Sequence, residues 1–112
     1  MTKLVIPKVE EKVIEDFSEQ VYREFGDNVI SIILFGSKSR GDYKKNSDTD
    51  ILVVFKNLNE YQTNYIYGLV INLVSKYKVY LSVKIFSEKE FEYYKSIPTM
   101  FINNVLKDGI KI

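Results

Sequence analysis

The residues best suited to chemistry lie between two apolar runs of the sequence. Gly36 and Ser37 follow the run 29–35, and Asp48 and Asp50 stand at the start of the run that ends at Phe55. A glycine lets a ligand approach the backbone closely. If residues 38–41 form a helical turn, its free N–H groups and the serine hydroxyl can bind an anion. The first half of this segment could therefore hold phosphate.

The two aspartates are spaced by one residue. Alternate residues of a strand share a face, so the carboxylates of Asp48 and Asp50 should project on the same side roughly 7 Å apart. Two like charges on an apolar strand are costly unless a cation lies between them. Hard oxygen ligands favour Mg²⁺ or Mn²⁺, and Mg²⁺ commonly combines one or two carboxylates with phosphate oxygens. The segment thus predicts a site for a divalent metal and a nucleoside triphosphate.

Each part of this segment also has a simpler explanation. A Gly-Ser pair is most often only a turn, and an Asp-x-Asp at a strand start is most often solvated. Arg40 and the lysines at 38, 44 and 45 could form a solvated loop face. The interpretation depends on the ordered combination of strand, Gly-Ser, polar loop, Asp-x-Asp and strand.

The composition removes several other classes of chemistry. The 112 residues include no His and no Cys, which excludes imidazole bases, Ser-His triads, thiolate metal sites and disulfides. Sixteen Lys and Arg nearly balance fifteen Asp and Glu, for a net charge of +1. A protein that binds nucleic acid without sequence preference needs an excess of basic residues. We therefore expect no general nucleic-acid binding. Any acid–base chemistry must therefore come from carboxylates, Lys, Tyr or water.

Length and patterning predict one domain over residues 1–112 that does not enter a membrane. The longest apolar stretch, 66–74, is interrupted by polar residues and glycine, and it is far shorter than the roughly 20 residues of a membrane span. Residues 1–20 carry no apolar segment of the signal-peptide kind. We therefore expect a cytoplasmic protein.

Hydrophobic periodicity places the polar segment between two strands of an α/β (α+β) domain. Apolar residues recur at helical spacing in the first segment and again after 57, while β-branched runs and a period of two mark the strands. In chain order the patterns predict helix 7–25, strand 29–35, strand 48–55, helix 59–76, strand 78–86, a helix capped by Ser87 with Glu90, and helix 99–107. We expect a small mixed sheet of three to four strands in a two-layer arrangement with the helices.

The motif Gly36-Ser37-x-x-Arg40-Gly41, followed by Ser47-Asp48-x-Asp50 and an apolar strand, resembles the signature of the minimal nucleotidyltransferases. These are small members of the DNA polymerase β-like nucleotidyltransferase superfamily and include MNT-type antitoxins. The resemblance covers most of the chain. It implies that Gly36, Ser37, Arg40 and Ser47 contact a nucleoside triphosphate such as ATP, and that Asp48 and Asp50 are the catalytic, metal-binding pair.

The chain departs from this signature at a third carboxylate, which the family usually carries on the next strand. That strand, 78–86, contains no acid. The aligned position should be Tyr80 or Ser82, with Lys84 nearby. Glu88 and Glu90 lie beyond the strand and read as helix-cap residues. The base that would activate an attacking hydroxyl is therefore expected to be missing within this chain.

Three functions remain open from the sequence. The resemblance implies an enzyme that transfers a nucleotidyl group, AMP, to a hydroxyl. It also allows an antitoxin module, weak or inactive as a catalyst, that binds a small helical HEPN-type partner. The third reading is a structural domain with a vestigial motif.

Tyrosine content suggests an interaction surface. The tyrosines at 43, 61, 65, 67, 93 and 94 are many rings for so small a core. Tyr is enriched at the centres of interfaces, so we expect a homodimer or a heteromer formed through a Tyr-bearing helix face. The alternative is that these rings line the inner faces of the helices.

Overall fold

The computed structural model describes residues 6–36 and 48–112. In chain order its elements are α1 (Lys8–Phe25), a 3₁₀ turn (Gly26–Asn28), β1 (Val29–Phe35), β2 (Thr49–Phe55), α2 (Glu60–Tyr77), β3 (Leu81–Ser87), α3 (Glu88–Lys95), α4 (Met100–Asp108) and β4 (Ile110–Lys111). The predicted order of helices and strands is confirmed. The segment 37–47, which holds Ser37, Arg40 and Ser47, lies outside the described residues.

The strands form one mixed sheet in the order β3-β2-β1-β4. β1 is antiparallel to both β2 and β4, whereas β2 and β3 are parallel. β4 was not predicted, because a two-residue strand carries no detectable periodicity. It pairs Ile110 with Leu34, and the N–H of Ile112 donates to the carbonyl of Ile32 at 2.8 Å. The α/β (α+β) class and the mixed four-stranded sheet agree with the prediction.

Helices cover both faces of the sheet, so the expected two-layer arrangement is wrong. On one face α1 and α2 pack on Ile32, Leu34 and Val53, and this is the larger apolar cluster. On the other face Val105 and Phe101 of α4 pack on residues such as Leu52. The reason lies in β1 and β2, which are apolar at nearly every position. Strands of this kind need cover on both sides.

β3 begins at Leu81, three residues later than predicted. Lys78 ends α2 in the left-handed conformation, with a φ of 58°, and its N–H donates to the carbonyl of Val74 at 2.9 Å. Val79 is buried against the α1–α2 side of the sheet. The chain therefore completes a helix cap before it can enter the sheet, and β3 lies at the sheet edge among the described strands.

None of the helices in the described residues is long and apolar enough to cross a membrane.

Asp16 of α1 links this helix to the end of α2. The Tyr77 hydroxyl donates a hydrogen bond to Asp16 Oδ2, and Lys12 Nζ lies 3.1 Å from Asp16 Oδ1. The hydrogen bond from Tyr77, helped by Lys12, lowers the pKa of Asp16 below its ordinary value of 3.8. A carboxylate with a depressed folded-state pKa stabilises the fold above its unfolded pKa, and that contribution is lost as the pH falls through the folded value.

We expect Tyr77→Phe to lower the free energy of unfolding by about 1 kcal/mol at pH 7, because it removes a hydrogen bond to a charged, largely buried carboxylate. The difference from wild type should shrink below pH 3.8. Urea unfolding at a series of pH values checks this. Tyr61→Phe is the matched control, since the Tyr61 hydroxyl also donates to a carboxylate, Glu24, but on the exposed surface. Equal losses for both variants at all pH values would contradict the assignment.

Candidate active site

Gly36 and the two aspartates meet at one edge of the sheet. The register of the antiparallel pair β1–β2 sets Asp50 beside Phe35, the last residue of β1. Gly36 follows Phe35 directly, and Asp48 lies just before β2. Asp48 is exposed and Asp50 is half-buried. The structure therefore brings together three of the residues that the sequence singled out.

Asp48 and Asp50 are separated by a residue that faces the opposite way. Thr49 is fully buried, and its Oγ1 finds no hydrogen-bond partner within the described part of the chain. Its backbone N–H donates to the carbonyl of Tyr80 at 2.9 Å. Because successive residues of a strand face opposite sides, we expect Asp48 and Asp50 to lie on the face opposite to Thr49. That face also carries Leu52 and, farther along, the cluster covered by α4.

Gly36 touches the Asp50 side chain. Its φ is 76°, a conformation that L-residues rarely adopt. A Cβ built on Gly36 would overlap the Asp50 carboxylate oxygen Oδ2 and lie 3.2 Å from its Cγ. The backbone at the end of β1 and the Asp50 carboxylate are thus packed directly against each other.

The parallel pairing of β2 with β3 shows which residue of β3 lies beside Asp50. Ser82 is the direct partner of Asp50, while Lys84 pairs with Leu52 one step deeper in the sheet. Tyr80 lies one residue before β3, level with Asp48. The structure thereby selects Ser82 over Tyr80 as the neighbour of Asp50. A serine hydroxyl cannot supply the negative charge of a carboxylate.

The two glutamates that follow β3 lie in the first turn of α3, where Glu90 caps the helix. The Ser87 N–H donates to Glu90 Oε1 at 3.0 Å, and the Glu90 N–H donates to Ser87 Oγ at 3.1 Å. This reciprocal pair is the predicted capping box. Glu88 stands exposed in the first turn of α3. Within residues 6–36 and 48–112 there is no group of three or more His, Cys, Asp and Glu side chains placed to hold a metal.

The donor set nonetheless suits a hard divalent cation. Two carboxylates on one strand face, one exposed and one half-buried, match the one or two carboxylates that Mg²⁺ takes when phosphate oxygens and water complete its shell. Asp48 and Asp50 are the residues that would hold it. Ser37, Arg40 and Ser47 were predicted to contact phosphate, and they lie outside the described residues.

Tyr80 lies exposed at this edge of the sheet. Its side chain is 65% exposed, and Val79 beside it is buried on the other face. The sequence predicts Tyr80 as a possible neighbour of the aspartates, because Val79 and Leu81 begin an alternation that puts residue 80 on the polar face. It does not predict that the ring is exposed level with Asp48.

The opposite end of this face holds a groove of about 340 Å³ between α3 and α4. Phe91, Val105 and Ile33 are among its apolar lining residues, and Glu88, Glu92 and Lys95 are among its charged ones. Neither Gly36 nor the two aspartates line it, so it is separate from the candidate site.

Comparison with known proteins matches the nucleotidyltransferase domain family over residues 10–112. A protein of Methanocaldococcus jannaschii that is provisionally named a protein adenylyltransferase is 37% identical over 100 residues, which cover 89% of this chain and 94% of the relative. A second protein of that organism with the same provisional name is 29% identical over 101 residues, covering 90% and 96%.

Solved structures share the fold. A toxin–antitoxin crystal structure with AMP-PNP superposes with a TM-score of 0.57 at 23% identity, over 87% of this chain and 70% of that one. The structure described as a minimal nucleotidyltransferase gives 0.53 at 22% identity, over 90% and 94%. A Shewanella oneidensis complex of a tri-AMPylated HEPN toxin with an MNT antitoxin gives 0.52 at 20%, over 90% and 70%. The family match over residues 10–112 and the 37% identical relative establish that the chain belongs to the nucleotidyltransferase domain family.

Proposed function

We propose that Asp48 and Asp50 hold a divalent metal, Mg²⁺ or Mn²⁺, together with a nucleoside triphosphate, and that the chain transfers AMP to a hydroxyl on a partner protein. One observation carries the proposal: Asp50 packs beside the Gly36 end of β1, and Asp48 lies two residues earlier, on the other side of the buried Thr49. A bound metal supplies charge neutralisation at the phosphates and polarises the α-phosphoryl group. Gly36, Ser37, Arg40 and Ser47 are the proposed contacts to the triphosphate, with ATP as the nucleotide.

The sheet order suggests where the acceptor enters. Asp50 has β1 on one side and β3 on the other. In phosphoryl-type transfer the attacking and leaving oxygens lie roughly in line across the phosphorus. With the triphosphate on the Gly36 side, the acceptor hydroxyl arrives over β3, past Ser82 and the exposed ring of Tyr80. No strand of the described residues lies beyond β3 to obstruct this path.

The nature of the acceptor is inferred from the relatives. Two relatives in sequence are provisionally named protein adenylyltransferases, and one structural neighbour is a complex that contains an AMPylated HEPN toxin. These names support AMP as the transferred group and a small helical protein of the HEPN type as the acceptor and partner.

The outer face of α2 is a suitable partner surface. Between Glu60 and Lys76 the helix carries no charged residue, and its exposed side includes Tyr67 at 53% and Ile71 at 65% exposure. Of the tyrosines that the sequence singled out, those at 61, 67, 93 and 94 are exposed, Tyr65 is half-buried and Tyr43 lies outside the described residues. Charge depletion with exposed aromatic rings is typical of interface cores. A homodimer through the same face is the competing assembly.

Ile71→Glu is expected to weaken association by at least about tenfold, because it buries a charge in the centre of an apolar contact. Light scattering of the protein alone, and with a co-expressed helical protein of the HEPN type, measures this. Tyr93→Glu on α3 is the matched control, because Tyr93 is similarly exposed at 63% but lies on another helix. A strictly monomeric wild type in both samples, or equal effects of the two variants, would contradict an interface on α2.

A second function is favoured by Ser82. With serine beside Asp50 in place of an acid, the chain would bind a metal–triphosphate complex and cover its partner with little or no transfer. Intact-mass spectrometry separates the two functions. The protein is incubated with ATP, Mg²⁺ and a helical protein of the HEPN type, and the proposed transfer adds one or more AMP groups to that protein and releases pyrophosphate. A stable complex whose mass does not change would support the binding module.

A further inference from the structure

Two glycines adopt positive φ in the described chain, and their surroundings differ. Gly26, at the end of α1, has a φ of 51°, and a Cβ built on it meets nothing within 4 Å. Gly36 has a φ of 76°, and a Cβ there would overlap Asp50 Oδ2 and lie 3.2 Å from Cγ and 3.4 Å from Cβ of that side chain. Backbone conformation explains a glycine at both positions. Of these two glycines, only Gly36 has a neighbouring side chain in the space that a Cβ would take.

The side chain that fills this space is that of Asp50, one of the two proposed metal ligands. The backbone of Asp50 is held between two neighbouring strands, because it pairs with Phe35 of β1 and with Ser82 of β3. Its side chain is half-buried. A methyl group at residue 36 would force the Asp50 carboxylate to turn toward β3 or away from the edge of the sheet. Either movement changes the spacing of the Asp48 and Asp50 carboxylates.

We propose that Gly36 is a positioning residue for Asp50: its missing side chain makes room for the Asp50 carboxylate in the orientation that completes the carboxylate pair. The functional meaning of this role rests on the proposed function of the pair. It differs from the phosphate contact expected of this glycine, because a phosphate contact concerns only the nucleotide-bound state. The packing of Gly36 on Asp50 exists before any ligand arrives.

The first test measures the packing without metal. Thermal unfolding is compared for Gly36→Ala in the wild-type and Asp50→Ala backgrounds, so that the strain of an alanine at positive φ is the same in both comparisons. We expect Gly36→Ala to lower Tm several degrees more in the wild type than in the Asp50→Ala background, which removes the carboxylate. Equal losses from Gly36→Ala in both backgrounds would overturn the proposal, since backbone strain alone would explain the glycine.

The second test measures the ligand site. Mn²⁺ binding is followed by electron paramagnetic resonance for wild type, Gly36→Ala and Gly26→Ala, with and without a non-hydrolysable ATP analogue. We expect Gly36→Ala to weaken Mn²⁺ binding by roughly 10–100-fold, the usual effect of disturbing a ligand's support, even without nucleotide. Gly26→Ala should stay close to wild type. Unchanged Mn²⁺ affinity in Gly36→Ala would overturn the positioning role.

The two tests separate this proposal from the proposed function. If the wild type binds no Mn²⁺ while the stability effects of Gly36→Ala and Asp50→Ala remain coupled, the metal site is wrong and the packing role of Gly36 stands. If wild type binds Mn²⁺ and the stability effects are uncoupled, the metal site stands and the positioning role fails.

Discussion

Replacing both Asp48 and Asp50 by asparagine is expected to weaken binding of Mn²⁺ together with a non-hydrolysable nucleoside triphosphate by on the order of 100-fold or more, because the only two carboxylates proposed to hold the metal lose their charge. Asparagine keeps the size and shape of each side chain. The start of β2 should therefore still pair with β1 and β3. Isothermal titration of the wild type and the double variant measures the loss.

Thr49→Val is the matched control for this pair. Thr49 lies between the two aspartates but faces the buried side, and its hydroxyl has no hydrogen-bond partner among the described residues. Replacing an unsatisfied buried hydroxyl by a methyl group of similar shape should leave stability and ligand binding nearly unchanged. Equal heats from the wild type and the Asp48→Asn/Asp50→Asn variant would contradict the metal site.

Ser82→Asp is expected to raise the rate of nucleotidyl transfer by about 10²–10⁴-fold, the usual contribution of a general base. The reason is the register of the parallel pair, which makes residue 82 the direct neighbour of Asp50. Adjacent strands lie about 4.8 Å apart. A carboxylate there can approach both the proposed metal and a hydroxyl that enters over β3. The assay is incorporation of α-phosphate label from ATP into the partner protein.

Two variants control for charge and position. Ser82→Asn introduces a similar shape without the negative charge, and Tyr80→Asp introduces the charge one residue before β3, level with Asp48. Neither should raise transfer as Ser82→Asp does. Fast transfer by the wild type that Ser82→Asp leaves unchanged would show that the third carboxylate is dispensable or lies elsewhere. Binding without transfer in every variant would favour the antitoxin-like binding module.

Much of the fold was predictable because its central elements carry strong periodic signals. The run 29–35 is apolar at nearly every position and coincides with β1. The capping box at Ser87 and Glu90 formed as predicted. The two-layer expectation failed because burial on both faces of β1 and β2 requires helices on both faces. The start of β3 was misplaced because the left-handed cap at Lys78 leaves no periodic trace in the sequence.

The candidate site was predictable in its residue types and less so in its arrangement. The spacing of Asp48 and Asp50 predicts a shared strand face, and the burial of Thr49 between them agrees with that prediction. The neighbour of Asp50 could not be chosen between Tyr80 and Ser82 until the β2–β3 register was known. The contact of Gly36 with Asp50 joins residues fourteen positions apart in the sequence. It depends on the antiparallel return of the chain, which no local pattern encodes.

The origin of the transferred phosphorus tests the central claim most directly. The wild-type protein and the proposed HEPN-type partner are incubated with Mg²⁺ and with ATP labelled at either the α- or the γ-phosphate. Nucleotidyl transfer predicts that the partner acquires label only from the α-position, with pyrophosphate released, and that Asp48→Asn/Asp50→Asn abolishes the labelling. Label acquired from the γ-position, or α-label that persists in the double variant, would contradict nucleotidyl transfer at the Asp48–Asp50 pair.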